Sequence, residues 1–598
     1  MTATEYPKIA VVADAHFHDI NGEYGLTASS VDLPQKPFRR LAETAKSTRV
    51  FNESHAALHY TLEDIAKRGI RHVVLLGDYS DDGQRATLIG LREILDDYAT
   101  THGIRFYAIP GNHDIFGAKG RHRTKRFLNS LGSYDVATSN PTLVDPEARR
   151  VVCSNANYCD GYPEALQMLP DIGIFGGPDN LYWETPFGTS ADPAERTFPI
   201  KAKDGVEFPP LMDASYLVEP STGIWLMMID ANVFKPHSRA ERVHHDEDHA
   251  DSGAAGWNAV LTEKPFILNW MKDVAARAKK LNKRLLTFSH YPVLDPIDGT
   301  YEDERALLGQ TSMSQRIPHQ PVADAILETD TKVHFSGHVH VNDTARYRRD
   351  QDFVVNVSVP SLVAFPAGYK IVEPRPDSLK IETVEIGAIP QNAEIESQYL
   401  KEVAQTGLKA DRLLGCADYG TFLFEHLGHL VSRRFLRREW PEDLAAVIGV
   451  LTLADFAALA VVGRAVATDE VLTDPALLRS QRLSSDVIEF ENSTNLRDGD
   501  LTELSALSFL EDLYRLRMGS DIALDRIHPD RLAAYDALAN LYAKQVPNDA
   551  PGLVGRIAPL FLIFTKCRDG LPSRDFKIDL QTGDIHEIQA GDQCRPKL

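Results

Sequence analysis

Five short clusters carry side chains that could do metal chemistry: Asp14-Ala-His16, Gly77-Asp78, Gly111-Asn112-His113-Asp114, Ser289-His290 and Gly337-His338-Val339-His340. The donor set is two aspartates, an asparagine amide and several imidazoles, with no thiolate. Hard carboxylate oxygen with imidazole nitrogen suits Mn, Fe or Zn and argues against a cysteine-rich structural zinc. These donors are too many for one ion and enough for two if one carboxylate bridges. Asp78, alone at the end of a central strand, is the natural bridge. Two cations roughly 3.5–4 Å apart activate a water and stabilise both oxygens of a phosphoryl displacement. Any one cluster alone also reads as an ordinary turn, since Gly-Asp and Gly-Asn pairs favour turns.

The elements that must position these clusters are short apolar runs, Ile9–Ala13, Val73–Leu76, Phe106–Ile109, Leu285–Phe288 and Val333–Phe335, each ending in one of them. Runs of this length read as strands buried on both faces. A helical spacing, Leu58, Leu62 and Ile65, precedes the second. Strand–helix alternation gives an α/β sheet, whose ligands gather beyond the carboxyl ends of the strands. The stretches 117–220 and 231–262 read as insertions over the site. Residues 215–218 and 224–229 read as a hairpin, 264–281 as a helix, and 369–372 with 379–384 as a closing strand pair. From about 391 the pattern becomes mainly α-helical, with Leu400–Leu414 and Arg531–Ala543 as helices and a possible hairpin at 576–588. The expected domains are therefore 1–390 and 391–598.

Composition bounds the rest. The 598 residues are 43% hydrophobic and 25% charged, which excludes a disordered or fibrous chain. With 64 basic against 85 acidic side chains, the net charge of −21 disfavours nucleic acid and anionic lipid. A phosphate must then be held by a local cation cluster or by metal. Five cysteines without repeated close spacing point to a reduced, cytoplasmic setting, and Met1–Lys8 has no signal-peptide pattern. Leu444–Gly463, roughly 20 mostly apolar residues, approaches a bilayer span. Asp455 in its middle would cost about 2.5–3.5 kcal/mol there, so a buried helix is expected and no membrane contact. His244, His245 and His249 read as a solvated loop, His55 and His59 as helix surface, and His18 with Asp19 as pocket lining. The C-terminal helices read equally as an interface of a homo-oligomer, a lid over the metal site or packing against the sandwich.

Taken in order, the five clusters resemble the calcineurin-like metallophosphoesterase superfamily, over roughly residues 8–386 without the insertions. Phe288-Ser-His-Tyr-Pro292 and Pro360-Ser-Leu362 resemble it too. The resemblance implies a sandwich of two central β-sheets flanked by helices. It further implies that Asp14, His16 and His340 hold one divalent or transition metal ion and Asn112, His290 and His338 a second, with Asp78 shared. His113 would then act on the phosphate as general acid or electrostatic stabiliser, and Asp114 would orient it. Attack would come in line from a metal-bound hydroxide, without a covalent enzyme intermediate.

Departures from subfamilies narrow the substrate. Serine/threonine phosphatases carry an arginine where Asp82 stands and another where Pro110 stands, and purple acid phosphatases a tyrosine at the position of Asp81. Without an arginine fork a monoester dianion is poorly clamped. The expectation is a small-molecule phosphoester hydrolase preferring phosphodiesters, with a monoesterase or nuclease of the same superfamily as alternatives. A non-catalytic binding protein on the same fold would be marked by a lost ligand, and none is missing.

Overall fold

The computed structural model describes residues 6–26, 36–243, 247–462, 464–474 and 504–588, with isolated positions between 475 and 503. Its strands in chain order are β1 (Ile9–Val12), β2 (His72–Leu76), β3 (Arg105–Ile109), β4 (Thr124–Leu128), β5 (Tyr134–Thr138), β6 (Val151–Cys153), β7 (Tyr182–Glu184), β8 (Thr197–Lys201), β9 (Glu207–Met212), β10 (Tyr216–Ser221), β11 (Ile224–Ile229), β12 (Arg284–Ser289), β13 (Val333–Ser336), β14 (Asp343–Arg349), β15 (Asp352–Ser358), β16 (Gly368–Pro374), β17 (Ser378–Glu385), β18 (Asp575–Asp579) and β19 (Ile585–Glu587).

Two seven-stranded mixed sheets form the core, in the orders β19-β18-β17-β16-β1-β2-β3 and β14-β15-β13-β12-β11-β10-β7. The five apolar runs become β1, β2, β3, β12 and β13. Of these, β1-β2-β3 pair in parallel, as do β12 and β13. Parallel alignment sends their C-terminal ends the same way within each sheet, so the polar clusters emerge together. Helices Ser54–Lys67 and Arg85–His102 link β1 to β2 and β2 to β3, each burying its apolar stripe. The second sheet packs Met227, Ile229 and Leu217 with Trp257, Ile267, Trp270 and Met271 of the helices Gly256–Glu263 and Phe266–Lys280.

Other expectations need adjustment. The 117–220 stretch is built of strands: β4–β6 form a small sheet, β8 and β9 a ribbon, and β7 joins the second large sheet beside β10. The helix expected over Leu400–Leu414 runs instead over Ala393–Thr406. It ends at Gly407, whose φ of +66° closes it as a left-handed cap. The hairpin near the end of the chain, β18–β19, adds to the first sheet through β17.

The described residues divide into two compact units, the first from 1–296, 316–423 and 572–598, the second from 297–315 and 424–571. The second is helical around an aromatic core in which Phe509 stacks on Phe561, with Tyr542 4.3 Å from Phe561 between ring centres. Leu444–Gly463 is not one helix there. It breaks into Glu442–Ile448 and Leu453–Val461, and Asp455 closes a capping box with Thr452, so the charge that looked misplaced satisfies a helix start. Among the described residues no helix is long and apolar enough to cross a membrane.

Candidate metal centre

The sandwich brings the polar strand ends to one place. Asp14 N–H donates to Gly77 O (3.1 Å), His16 N–H to Asp78 O (2.7 Å) and Gly337 N–H to His290 O (2.9 Å), locking the loops pairwise. Asp14, His16, Asp78, His338 and His340 all adopt positive φ, between +38° and +73°. Such backbone costs of order 1–3 kcal/mol per residue and persists where surrounding structure imposes it, commonly at functional sites. Gly77, at φ +81°, has a second reason: a Cβ there would lie 2.5 Å from His290 Nδ1.

Three groups of donors converge, all buried except the half-buried His113, each with its atoms within 4.8 Å: Asp14, His16 and His340; Asp78, His290 and His338; and His16, Asp78 and His113. In the first, His16 Nε2 lies 3.1 Å from His340 Nε2, and His340 Nε2 3.4 Å from Asp14 Oδ1. In the second, His290 Nε2 is 3.2 Å from Asp78 Oδ2 and 3.2 Å from His338 Nδ1. Asp78 Oδ2 also faces His16 Nε2 at 3.7 Å and so stands between the two groups. Its other oxygen accepts from His113 N–H at 2.7 Å.

The outer nitrogens decide which ring atoms are free to ligate. His290 Nδ1 donates to Leu76 O (3.0 Å) and His338 Nε2 to Gly253 O (2.9 Å); carbonyls only accept, so the protons sit there. His290 Nε2 and His338 Nδ1 are the ring atoms left facing the cluster. Burial keeps His16 and His338 neutral, well below the usual histidine range. His290 differs: burial opposes its charge, yet Asp78 outweighs that and raises it to about 9. A proton there occupies a place that suits a cation. Asn112 Oδ1, next in the loop, is buried without a hydrogen-bond partner. An orphaned acceptor beside converging carboxylates and imidazole lone pairs fits a hard or borderline metal ion.

Behind His113 lies a layer the motif reading missed. His113 Nδ1 donates to Asp82 Oδ1 at 2.5 Å, so Asp82, not Asp114, orients the ring. Asp114 accepts instead from Ser80 N–H (2.9 Å), Ser80 Oγ (2.8 Å) and Gly111 N–H (2.9 Å), tying the second and third clusters together. Burial and the charge of Asp78 push its carboxyl up to about 8. Asp81 and Asp82, both buried, share a set of cations of which Arg39 and Lys125 are buried and Arg49 and Arg123 half-buried. Arg39 (3.1 Å) and Lys125 pair with Asp81. Arg123 Nε (2.8 Å) and Lys125 (3.1 Å) pair with Asp82, and Arg49 reaches both (2.9 and 3.3 Å). The doubled Asp81-Asp82 was the available signal. Arg49, Arg123 and Lys125 come from distant segments with no motif spacing, and they correct the expectation of an arginine-poor surround.

His18 and Asp19 do not join the donor groups: His18 bonds Pro37 O at 2.8 Å, and burial holds it neutral at about 3. His55 and His59 lie one turn apart on one helix, their rings tilted and 4.9 Å between centres. His244 and His245 lie outside the described residues, whereas His249 packs edge-on against Phe208.

Lys125 is fully buried beneath the two carboxylates. Replacing it with methionine should destabilise the protein by about 3 kcal/mol, the low end for a broken buried pair because three guanidiniums remain. The midpoint of urea denaturation measures this. Asp82 is held well below the usual carboxylate range because Arg123 and Lys125 outweigh its burial. A depressed acid contributes stability above its unfolded value and loses it as pH falls, so the Lys125→Met deficit should shrink below about pH 4.

A sandwich of two mixed sheets with buried carboxylates and imidazoles at its strand ends defines a metal-binding architecture. The model of the family described as calcineurin-like phosphoesterase matches residues 7–185. The chain is a metal-dependent phosphoester hydrolase. No curated protein matches it in sequence. Among solved structures, a dimetal phosphatase from Danio rerio is 13% identical with a TM-score of 0.31, covering 63% of this chain and 96% of that one. The phosphopantetheinyl hydrolase PptH from Mycobacterium tuberculosis is 11% identical with a TM-score of 0.21, covering 60% and 91%.

Proposed function

We propose that the centre is dinuclear and prefers phosphodiesters. Asp14, His16 and His340 would hold one ion, Asn112, His290 and His338 the other, and Asp78 both. Two cations held there would supply an activated water and positive charge for the phosphoryl oxygens. The protein's own part is to place a proton donor: His113, whose ring centre is 4.9 Å from that of His16, hands a proton to the departing oxygen from Nε2. Asp82 fixes the tautomer by taking the Nδ1 proton in a hydrogen bond.

The observation that supports a diester is the commitment of the nearby guanidiniums. Arg49 and Arg123 are already paired with Asp81 and Asp82, so neither is free to clamp the second charge of a monoester dianion. A diester carries one charge and needs no such clamp.

The test is hydrolysis of bis-p-nitrophenyl phosphate against p-nitrophenyl phosphate by Mn-loaded protein, with bound metal counted. Two ions and a kcat/KM at least about tenfold higher for the diester are expected. Faster monoester cleavage would reverse the substrate assignment, and one ion per chain would reverse the dinuclear one.

A further inference from the structure

Arg316 stands apart from the basic side chains around the centre. Arg39, Arg49, Arg123 and Lys125 are all committed to carboxylates. Among the described residues, no hydrogen bond or ion pair engages Arg316. Its backbone is nonetheless well fixed. The next residue, Ile317, is buried, and Ile317 O accepts from Asn258 Nδ2 at 3.0 Å while His319 N–H donates to Asn258 Oδ1 at 2.9 Å.

The side chain lines a small cleft with Gly253, Ala254, Tyr291 and Pro292. Two of these partners touch the donor His338: Gly253 O accepts from its Nε2, and the Tyr291 ring lies 4.4 Å from its ring centre. Tyr291 is itself held by its hydroxyl, which donates toward Asn232 Oδ1 and Ser252 O, both at 3.0 Å. His113 groups with His16 and Asp78, whereas His338 groups with His290 and Asp78. The cleaved phosphoryl and its departing oxygen belong near His113, so a cation beside His338 meets a part of the substrate that is not cleaved.

We propose that Arg316 determines specificity by binding a second anionic group of the substrate, a phosphoryl or carboxylate separate from the phosphorus under attack. The substrate is then a phosphodiester with a further negative charge, as a diphosphate diester has. A planar guanidinium on a fixed backbone, with all its N–H donors unspent, forms bidentate charge-assisted bonds to such a group. This rests on the diester reading above, but its test is separable from it.

Calorimetry on Mn-loaded protein compares methylphosphonate, methylenediphosphonate and phosphonoacetate. Wild-type protein should bind one of the two doubly anionic probes at least tenfold more tightly than methylphosphonate. The tighter of the two identifies phosphoryl or carboxylate as the second group. Arg316→Ala should weaken that probe roughly 10- to 100-fold, leaving methylphosphonate affinity and bis-p-nitrophenyl phosphate hydrolysis unchanged, and Arg316→Lys should recover part of the loss. Equal weakening of all probes, no weakening, or a wild type without preference overturns the assignment. Failure of wild-type diester hydrolysis strikes the proposed function instead, because the binding comparison does not depend on turnover.

Discussion

Asp78→Asn should lower kcat/KM on bis-p-nitrophenyl phosphate by about 10³-fold or more and remove at least one of two bound ions. One carboxylate oxygen faces both His16 Nε2 and His290 Nε2, at 3.7 and 3.2 Å, so its charge is the common counter-ion of both donor groups. Several kcal/mol of electrostatic stabilisation depend on such a charge, and each 1.36 kcal/mol is tenfold in rate. Asparagine is the right probe because the backbone at 78 sits at φ +47°, a region asparagine tolerates, and its amide oxygen still accepts from His113 N–H. The variant should therefore fold, with an unchanged circular dichroism spectrum. Metal analysis and steady-state kinetics on the same preparation check it; two ions with near wild-type turnover would remove Asp78 from the bridging position.

Most of the sandwich was legible because its central strands are buried on both faces and read as unbroken apolar runs. What stayed hidden was long-range or a matter of capping. Nothing local in Phe576–Leu580 says that it pairs with β17, almost 200 residues earlier, in the register Ile381 to Phe576. β7 likewise enters the second sheet from a stretch without periodicity, where three residues are too few to show one. Hydropathy placed Leu444–Gly463 in the interior but could not see that Thr452 and Asp455 cap each other and split it.

The donor residues were legible because side-chain chemistry is written in the sequence and strand ends announce themselves. Their support was not. Gly253 contributes a carbonyl to His338, and a backbone oxygen has no sequence signature. Asp82 was read as the absence of an arginine, when its carboxylate takes the proton of His113 and collects Arg49, Arg123 and Lys125 around it. A substitution that removes a clamp at one position therefore created a holder for the neighbouring imidazole. Only the fold shows that the cations it needs arrive from β4, the residue just before it and the loop carrying Arg49.

His113→Ala tests that holder from the other side. Turnover should fall by roughly 10²–10⁴-fold, the usual worth of a positioned proton donor, while metal content stays at the wild-type level because His113 is in neither of the two proposed ligand sets. The size of the defect should depend on the leaving group. p-Nitrophenolate departs without help, so bis-p-nitrophenyl phosphate should show the smaller loss and an alkyl phosphodiester the larger. Asp82→Asn should give a milder loss, about 10- to 100-fold, with the same leaving-group trend, because asparagine still offers an acceptor to Nδ1 but no charge. If instead both variants slow aryl and alkyl diesters equally, His113 acts on the phosphoryl oxygens and not on the departing one. In that case Asp82 serves to aim a hydrogen-bond donor rather than to prepare an acid, and the pairing of aspartate and histidine at 2.5 Å is a positioning contact alone.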